Sequence, residues 1–502
     1  MSRHIIHKQK VTLQLPKGAD AHFFQNCVSD LLHNQLHEQL ETLLDGLFPS
    51  DKIIRIDSLQ LDLGSLNPRN FEQEFKDEFI KALTKSLAAK QDILNTTNDE
   101  EVLSGTQSLV HTFIYFLQKG YLPWYHIADK KTELEQELLV NFSAKEYDYV
   151  LDWLRDNYQH DPVIVKRLVR QFSDALLGKL FSAVRPSVNN EEDFVLVCKD
   201  YEYLLKVYLK MRPGRDEIQE HVFYALLNNA LLNNKDSAWA FRALRSLKDY
   251  FNIKTALIAA INEREIATGI KTKIVREAVK DFKVFLKKNE PVKQDSPKAK
   301  RKADHVETPD DQLYDNGKEL TVGWSRDKKE KWQAEEDTLY VNNSGVVILH
   351  HFLKPFFEGL KLLADGKFIN DTAHQRAVLL LYYLATGDVK VPEFDLPLQK
   401  ILCGYPLENT LPVSIKLSRK EKAESEKLLK TVIDYWPPLK GTSVEGLRST
   451  FFQRDGKLLT TENGWLLTVE QKTVDILLGK LPWGFSTIRL PWMEQILNVD
   501  WY

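Results

Sequence analysis

Apolar residues change their period along the chain, and the changes mark out its elements. Val11, Leu13 and Leu15 alternate with Thr12 and Gln14, which predicts a half-buried strand ended by Pro16-Lys17-Gly18. From Ala19 to Leu47 the spacing becomes three and four, through Phe24, Cys27, Leu31, Leu36, Leu40, Leu43, Leu44 and Leu47, and predicts an amphipathic helix. In IIRIDSLQLDLG, Ile54 and Ile56 alternate with polar residues and then Leu59, Leu61 and Leu63 do, with a phase slip at Ser58 that fits a bulge. Phe71, Phe75, Phe79, Leu83 and Leu87 follow at intervals of four on a second helix. Residues 1–95 thus read as a small α+β module.

Residues 100–286 read as a helical region. Thr132 with Glu135 and Ser143 with Glu146 make capping-box patterns, and Asp161-Pro162 sets a cap before a proline at a first helical position. Pro213-Gly214 and Asn233-Asn234 break the run. No fixed period supports a repeat array. Gly120-Tyr-Leu-Pro-Trp124 echoes Gly479-Lys-Leu-Pro-Trp483, as chance or as a shared helix-ending corner. Residues 287–339 carry many charges, prolines and few apolar side chains, a composition that does not offset ordering entropy and predicts a flexible linker. Its basic knot, Lys298, Lys300, Arg301 and Lys302, has acidic flanks and no aromatic platform, and reads as solvated charge.

From 340 to 502 a second α+β domain is expected. Val346 to Leu363 is helical around Pro355, Ala373 to Thr386 is helical up to Gly387, and Ser418 with Glu421 opens a helix through Tyr435 that Pro437-Pro438 closes. KLLTTENGWLLTVE reads as a hairpin, with Asn463-Gly464 predicting a type I′ turn. Val474 to Leu478 is a short helix, and Phe485 to Leu490 and Ile496 to Trp501 are closing strands. The whole is α+β and mostly helical.

Composition narrows the function. The 502 residues are 43% hydrophobic and 11% aromatic, enough for packed cores. With 68 basic and 71 acidic residues the net charge is −3, which gives no field toward nucleic acid or an anionic membrane. Three scattered cysteines, Cys27, Cys198 and Cys403, argue for a reducing compartment, and no apolar run reaches the length of a membrane span. The start MSRHIIHKQKV has no apolar signal-like core, so a cytoplasmic protein is expected.

Candidate chemistry is sparse. His33 and His37 share a helical face, but HNQLH lacks the glutamate of a zinc-protease helix and a third ligand. His350 and His351 cannot face one site from a helix, so one is expected in the packing. Gly441–Gly446 has the gap of a phosphate loop, yet Leu447-Arg448 stand where lysine and a hydroxyl are needed. No nucleophile elbow, dinucleotide loop or Cys–His pair is visible. The reading is of no enzyme, no cofactor and no metal.

Several separated words have a familiar order. HIIHKQKVTLQLPKGADA and IRIDSLQLDLGSL open the chain. VNNSGVVILHHFLKPFFEGLKLL, RAVLLLYYLATGD, LPLQKILCGYPL, GLRSTFFQRDGKL, GWLLTVEQKTVDILLGKLPWGFSTIRLPWM and a terminal VDWY follow, with a thinner match at FLQKGYLPWY. Together, over roughly residues 1–90 and 340–502, they resemble the tape measure family of contractile injection systems, although proline is expected where His351 stands. The resemblance implies a cytoplasmically assembled, phage-tail-like particle with sheath, tube, baseplate and spike, in which this protein sets tube length in or near the lumen. It implies inner tube, hub or spike, or baseplate proteins as partners, and carries over no catalytic residue. On that basis Trp483, Phe485, Arg489, Trp492 and Trp501 are candidate protein-interaction residues, the alternative being that the rings fill the domain's own core. A fully helical chain would reach roughly 750 Å, but strands, 19 prolines and Trp-Pro corners favour compact domains.

Overall fold

Helices dominate the computed structural model, with one five-stranded mixed sheet near the C-terminus, so the fold is α+β and mostly helical. The structure describes residues 4, 6, 9–48, 52–54, 56, 58–96, 102–126, 131–184, 191–207, 214–230, 238–259, 261–262, 266, 268–389 except 289–337, 391–412 and 415–501. The core of the expected linker, 289–337, with its basic knot, lies outside the described residues, as do Asn233-Asn234 and the side chain of His33. Two compact units emerge: 1–183 with 390–397 and 406–411, and 184–389 with 398–405 and 412–502.

In the first unit the period-four aromatics behave as expected. Asp20 caps the helix Ala21–Asp30, which continues through a π-helical turn, Leu31–Gln35, into His37–Leu47. Phe24 meets Phe71 edge-on at 4.9 Å, and Phe71, Phe75 and Phe79 run along the helix Phe71–Thr96 at 5.8 Å steps. The strand expectation fails in part. Strand β1 (Lys52–Ile54) pairs antiparallel with β2 (Val102–Ser104). Residues 11–15 and 59–63, however, join no ladder among the described residues. Their alternation is still real, since Leu13, Leu15, Leu59, Leu61 and Leu63 are half-buried against the same helical core. Period-two patterning specifies one-sided burial, whereas a ladder also needs a neighbouring strand.

Ser143 and Glu146 form the expected capping box, and Asp161 Oδ1 accepts from Val163 N at 3.0 Å. The Thr132 side chain lies outside the described residues, and Glu135 reaches a neighbouring helix. Its carboxylate accepts from the backbone N–H of Ser173, 2.9 Å away, and from the Ser173 hydroxyl, before the helix Asp174–Val184. The helix Gly105–Lys119 ends on Gly120 in the left-handed region, φ 81°. Gly479 does not adopt positive φ and lies inside a 3-10 helix, Thr473–Lys480, so the two Gly-x-Leu-Pro-Trp words do not share a corner.

Arg167 is the most deeply committed charge of this unit. With no exposed surface, it donates to the carbonyls of Leu117, Gln118 (3.1 Å) and Glu408, and pairs with Glu393 Oε1 at 3.4 Å. The first two carbonyls end the helix Gly105–Lys119, where a cation complements the helix dipole. Glu393, equally buried, accepts from Thr410 Oγ1 at 2.7 Å, and its N–H donates to Gln171 Oε1 at 3.0 Å. Residues 390–397 and 406–411 are thereby tied into the first unit by paired buried charge rather than by apolar packing alone.

The second unit begins with helices Glu191–Val207, Arg215–Ala230, Ala238–Tyr250 and Lys273–Lys288. Buried Asp200 accepts from Lys271 N, Thr272 N and the Thr272 hydroxyl at 2.6–2.9 Å, capping the last of these from a distant helix. The sheet follows, from β3 (Thr338–Val341), β6 (Gly456–Thr461), β7 (Gly464–Val469), β8 (Thr487–Ile488) and β9 (Ile496–Asp500), in the order β3-β6-β7-β9-β8. Every neighbour is antiparallel except β7 and β9, which are parallel. A separate hairpin joins β4 (Leu363–Ala364) to β5 (Lys367–Phe368).

The β6–β7 hairpin is present, but its turn is not the expected one. Thr461 pairs with Gly464, so Glu462 and Asn463 are the loop residues, and neither has positive φ. Type I′ needs positive φ at both. That geometry occurs instead in the β4–β5 hairpin, at Asp365 (φ 52°) and Gly366 (φ 74°). The helix Asp371–Thr386 stops at left-handed Gly387, and Ser418 and Glu421 form the expected capping box on Arg419–Tyr435.

Candidate functional site

The five candidate interaction residues lie where the C-terminal words of the sequence converge. Trp501, near the end of the chain, is 2% exposed and donates from Nε1 to Asp475 Oδ2 at 3.1 Å. Asp475 is buried and also accepts from Lys472 N at 2.8 Å and, on Oδ1, from Arg454 at 2.8 Å. Arg454 is fully buried and donates from Nε to Thr450 O at 2.7 Å. This carboxylate therefore ties the 3-10 helix, the turn before β6 and the terminal strand together.

Gly345 lets that junction close. A Cβ there would stand 1.7 Å from Phe451 O and 2.9 Å from Trp501 Cη2, so two segments touch through a position that tolerates no side chain. The neighbouring Ser344 hydroxyl donates to Arg454 O at 2.7 Å and Asp455 O at 3.1 Å. Four of the words quoted above, NNSGVV, FFQRDG, EQKTVD and VDWY, thus meet in one core.

A second convergence surrounds Trp492. Its Nε1 donates to Leu402 O at 2.9 Å, and its ring packs on Phe357 and Phe368 at 5.7 and 5.3 Å. Gly404, at φ 64°, passes so near that a Cβ would lie 2.5 Å from Trp492 O. His374 stacks on Phe368 at 4.3 Å and meets Cys403 O at 2.7 Å, and burial pushes its imidazole down from the ordinary range. Arg448 closes a third junction by donating to Leu384 O at 3.1 Å, at the end of the helix Asp371–Thr386, and by pairing with Glu426 at 2.6 Å.

Trp483 goes elsewhere. Its Nε1 donates to Ile348 O at 2.9 Å and its ring meets Phe352 edge-on at 5.0 Å, while Phe352 stacks with Tyr435 at 6.3 Å. Tyr435 is 61% exposed. Phe485 is half-buried and touches Trp501 at 5.8 Å, and Arg489 is exposed. The structure accordingly brings Phe485 and Trp501 together, gives Trp483 and Trp492 separate intramolecular partners, and leaves Arg489 on the surface. Sequence reasoning missed Gly345, Gly404, Arg448, Arg454 and Asp475. The usable signal was their place inside the resembling words, since none has a distinctive spacing.

The chemistry of these junctions is that of holding. Of the adjacent histidines, His350 is buried and donates from Nδ1 to Val347 O, 2.9 Å away, while His351 is exposed. Burial first, with the neighbouring His351 adding, pushes the His350 imidazole down to about 4 against the opposing backbone bond. Ser443 spends its hydroxyl capping a short helix by accepting from Gly446 N, within the Gly441–Gly446 segment. Among the described residues no group of three or more His, Cys, Asp and Glu is placed to hold a metal, and no helix is long and apolar enough to cross a membrane.

Comparison with known families finds a match over nearly the whole chain. A model described as contractile injection system tape measure protein covers residues 3–501. No curated protein and no solved structure matches the chain.

Proposed function

Since the chain belongs to the contractile injection system tape measure protein family, we propose that it is a structural, non-enzymatic assembly protein that sets inner-tube length and binds tube, hub or baseplate components. The observation that carries this reading is a family match spanning nearly the whole chain, ends and middle together. In this proposal residues 1–95 and 340–502 are end modules, 100–286 a helical region, and 287–339 a tether between them. The protein assembles in the cytoplasm and ends in the tube lumen. The exposed Arg489 and the partly exposed Trp483, Phe485 and Trp492 form the C-terminal docking face, with Trp501 bracing Phe485.

Insertions and deletions within 289–337 and the helical region test the length-setting role. Particle length in electron micrographs is expected to change in proportion to residues added or removed. Particles of unchanged length would refute it.

One observation favours a second reading, that of a compact assembly chaperone or loading adaptor. Extension to a ruler would have to expose Arg167 and Glu393, a fully buried charge pair, and the Asp475 junction. Mass spectrometry of purified particles separates the two, because a lumen ruler remains in them and an adaptor is absent.

A further inference from the structure

Two extended segments of the N-terminal module have strand patterning without a strand partner. In 10–15 Leu13 and Leu15 are half-buried, while Lys10, Val11, Thr12 and Gln14 are exposed. In 58–63 Leu59, Leu61 and Leu63 are half-buried, while Ser58, Gln60 and Asp62 are exposed. Both sets of leucines pack on the same core of Phe24, Leu31, Phe71 and Phe75. Neither segment joins a ladder among the described residues. Each ends at a left-handed glycine, Gly18 (φ 92°) or Gly64 (φ 67°), so each is a short, bounded edge.

Free edges of this kind are templates for strand addition, with main-chain bonds supplying affinity and alternate side chains supplying register. We propose that the occupant is a second copy of this chain, with 10–14 of one copy pairing antiparallel with 58–62 of the other. The two edges are complementary to each other. An antiparallel register with Lys10 opposite Asp62 places Leu13 opposite Leu59 on the core side, sets the 45% exposed Val11 opposite Leu61, and lets the opposite charges meet outside. Asp62 accepts a bond from Gly64 N at 2.9 Å and retains a second oxygen for the lysine. Since each copy carries both edges, a two-fold dimer forms the ladder twice, which is the closed arrangement expected of an isologous contact. A one-residue slip would set leucines against solvent, and a parallel pairing would carry Lys10 away from Asp62.

The test is sedimentation velocity of the full chain over a concentration series, with hydrogen exchange read at 10–15 and 58–63. The expected result is a dimer whose amides in both segments gain protection as it forms. Lys10→Glu and Asp62→Lys singly should each weaken dimerisation about tenfold, and the double exchange should restore it. Val11→Pro with Thr12→Pro removes donors that serve no ladder within one copy, so the monomer stays folded while the dimer is lost. A chain that remains monomeric, a dimer that survives the double proline variant, or charge reversals without mutual rescue would overturn the proposal.

Discussion

Trp501→Ala separates the two roles open to the terminal tryptophan. The ring is 2% exposed, touches Phe485 at 5.8 Å, stands beside Gly345 and donates to Asp475. Truncating a buried aromatic costs about 3–5 kcal/mol through lost transfer energy and the cavity left behind. The lost hydrogen bond lies within that range, because Asp475 Oδ2 keeps the N–H of Lys472. Since the chain folds as more than one unit, a single global unfolding energy is the wrong measure. Hydrogen exchange of the β9 amides is the right one, and a loss of that size speeds it by roughly two to four powers of ten. Trp501→Phe keeps most of the packing and loses the donor, so the cost falls to about 1 kcal/mol and the exchange rate rises roughly tenfold or less. Unchanged β9 exchange in Trp501→Ala would refute the core role, and if particle assembly were lost at the same time, docking would be its role.

Gly345→Ala is expected to prevent native closure of the sheet domain, because its methyl would overlap the Phe451 carbonyl at 1.7 Å and backbone cannot yield as a side chain does; expression as soluble folded protein checks it. Arg167→Met removes the buried cation that faces the Glu393 carboxylate and should destabilise the first unit by about 3–5 kcal/mol, read as faster exchange in the helix Val163–Gln171, while adding Glu393→Leu should recover most of the loss. His350 predicts acid sensitivity. Its imidazole titrates at about 4 when folded, against an ordinary 6.5, so the unfolded chain takes the proton first as pH falls. The stabilisation is complete above about 6.5, and up to about 3 kcal/mol is lost between there and about 4, a slope that His350→Leu should flatten in a pH series of thermal melts.

Local rules in the chain were legible wherever one residue acts on its neighbours. Ser143 and Ser418 cap with a glutamate three positions on, Gly387 stops a helix, and Phe71, Phe75 and Phe79 line one helical face, since each depends only on spacing along a single element. The same local reasoning placed the β6–β7 hairpin, but misjudged its turn by one residue, because strand register against β9 as well as turn preference decides where Gly464 sits. Glu135 shows what spacing along one element does not report, because its carboxylate takes donors at a helix start 38 residues away.

By itself the sequence determined the helix and strand periods, the mostly helical α+β class and, through ordered words at both ends, the family. Tertiary structure alone decided why those words have their residues. Gly345 matters because the Phe451 carbonyl and the Trp501 ring arrive there, Asp475 because Arg454 and Trp501 reach it from either side in sequence, and Arg167 because Glu393 follows 226 residues later. Periodicity reports which side of a segment is buried. It contains no term for which distant backbone will lie against it, and that encounter is what makes a glycine, a buried charge or a terminal tryptophan necessary.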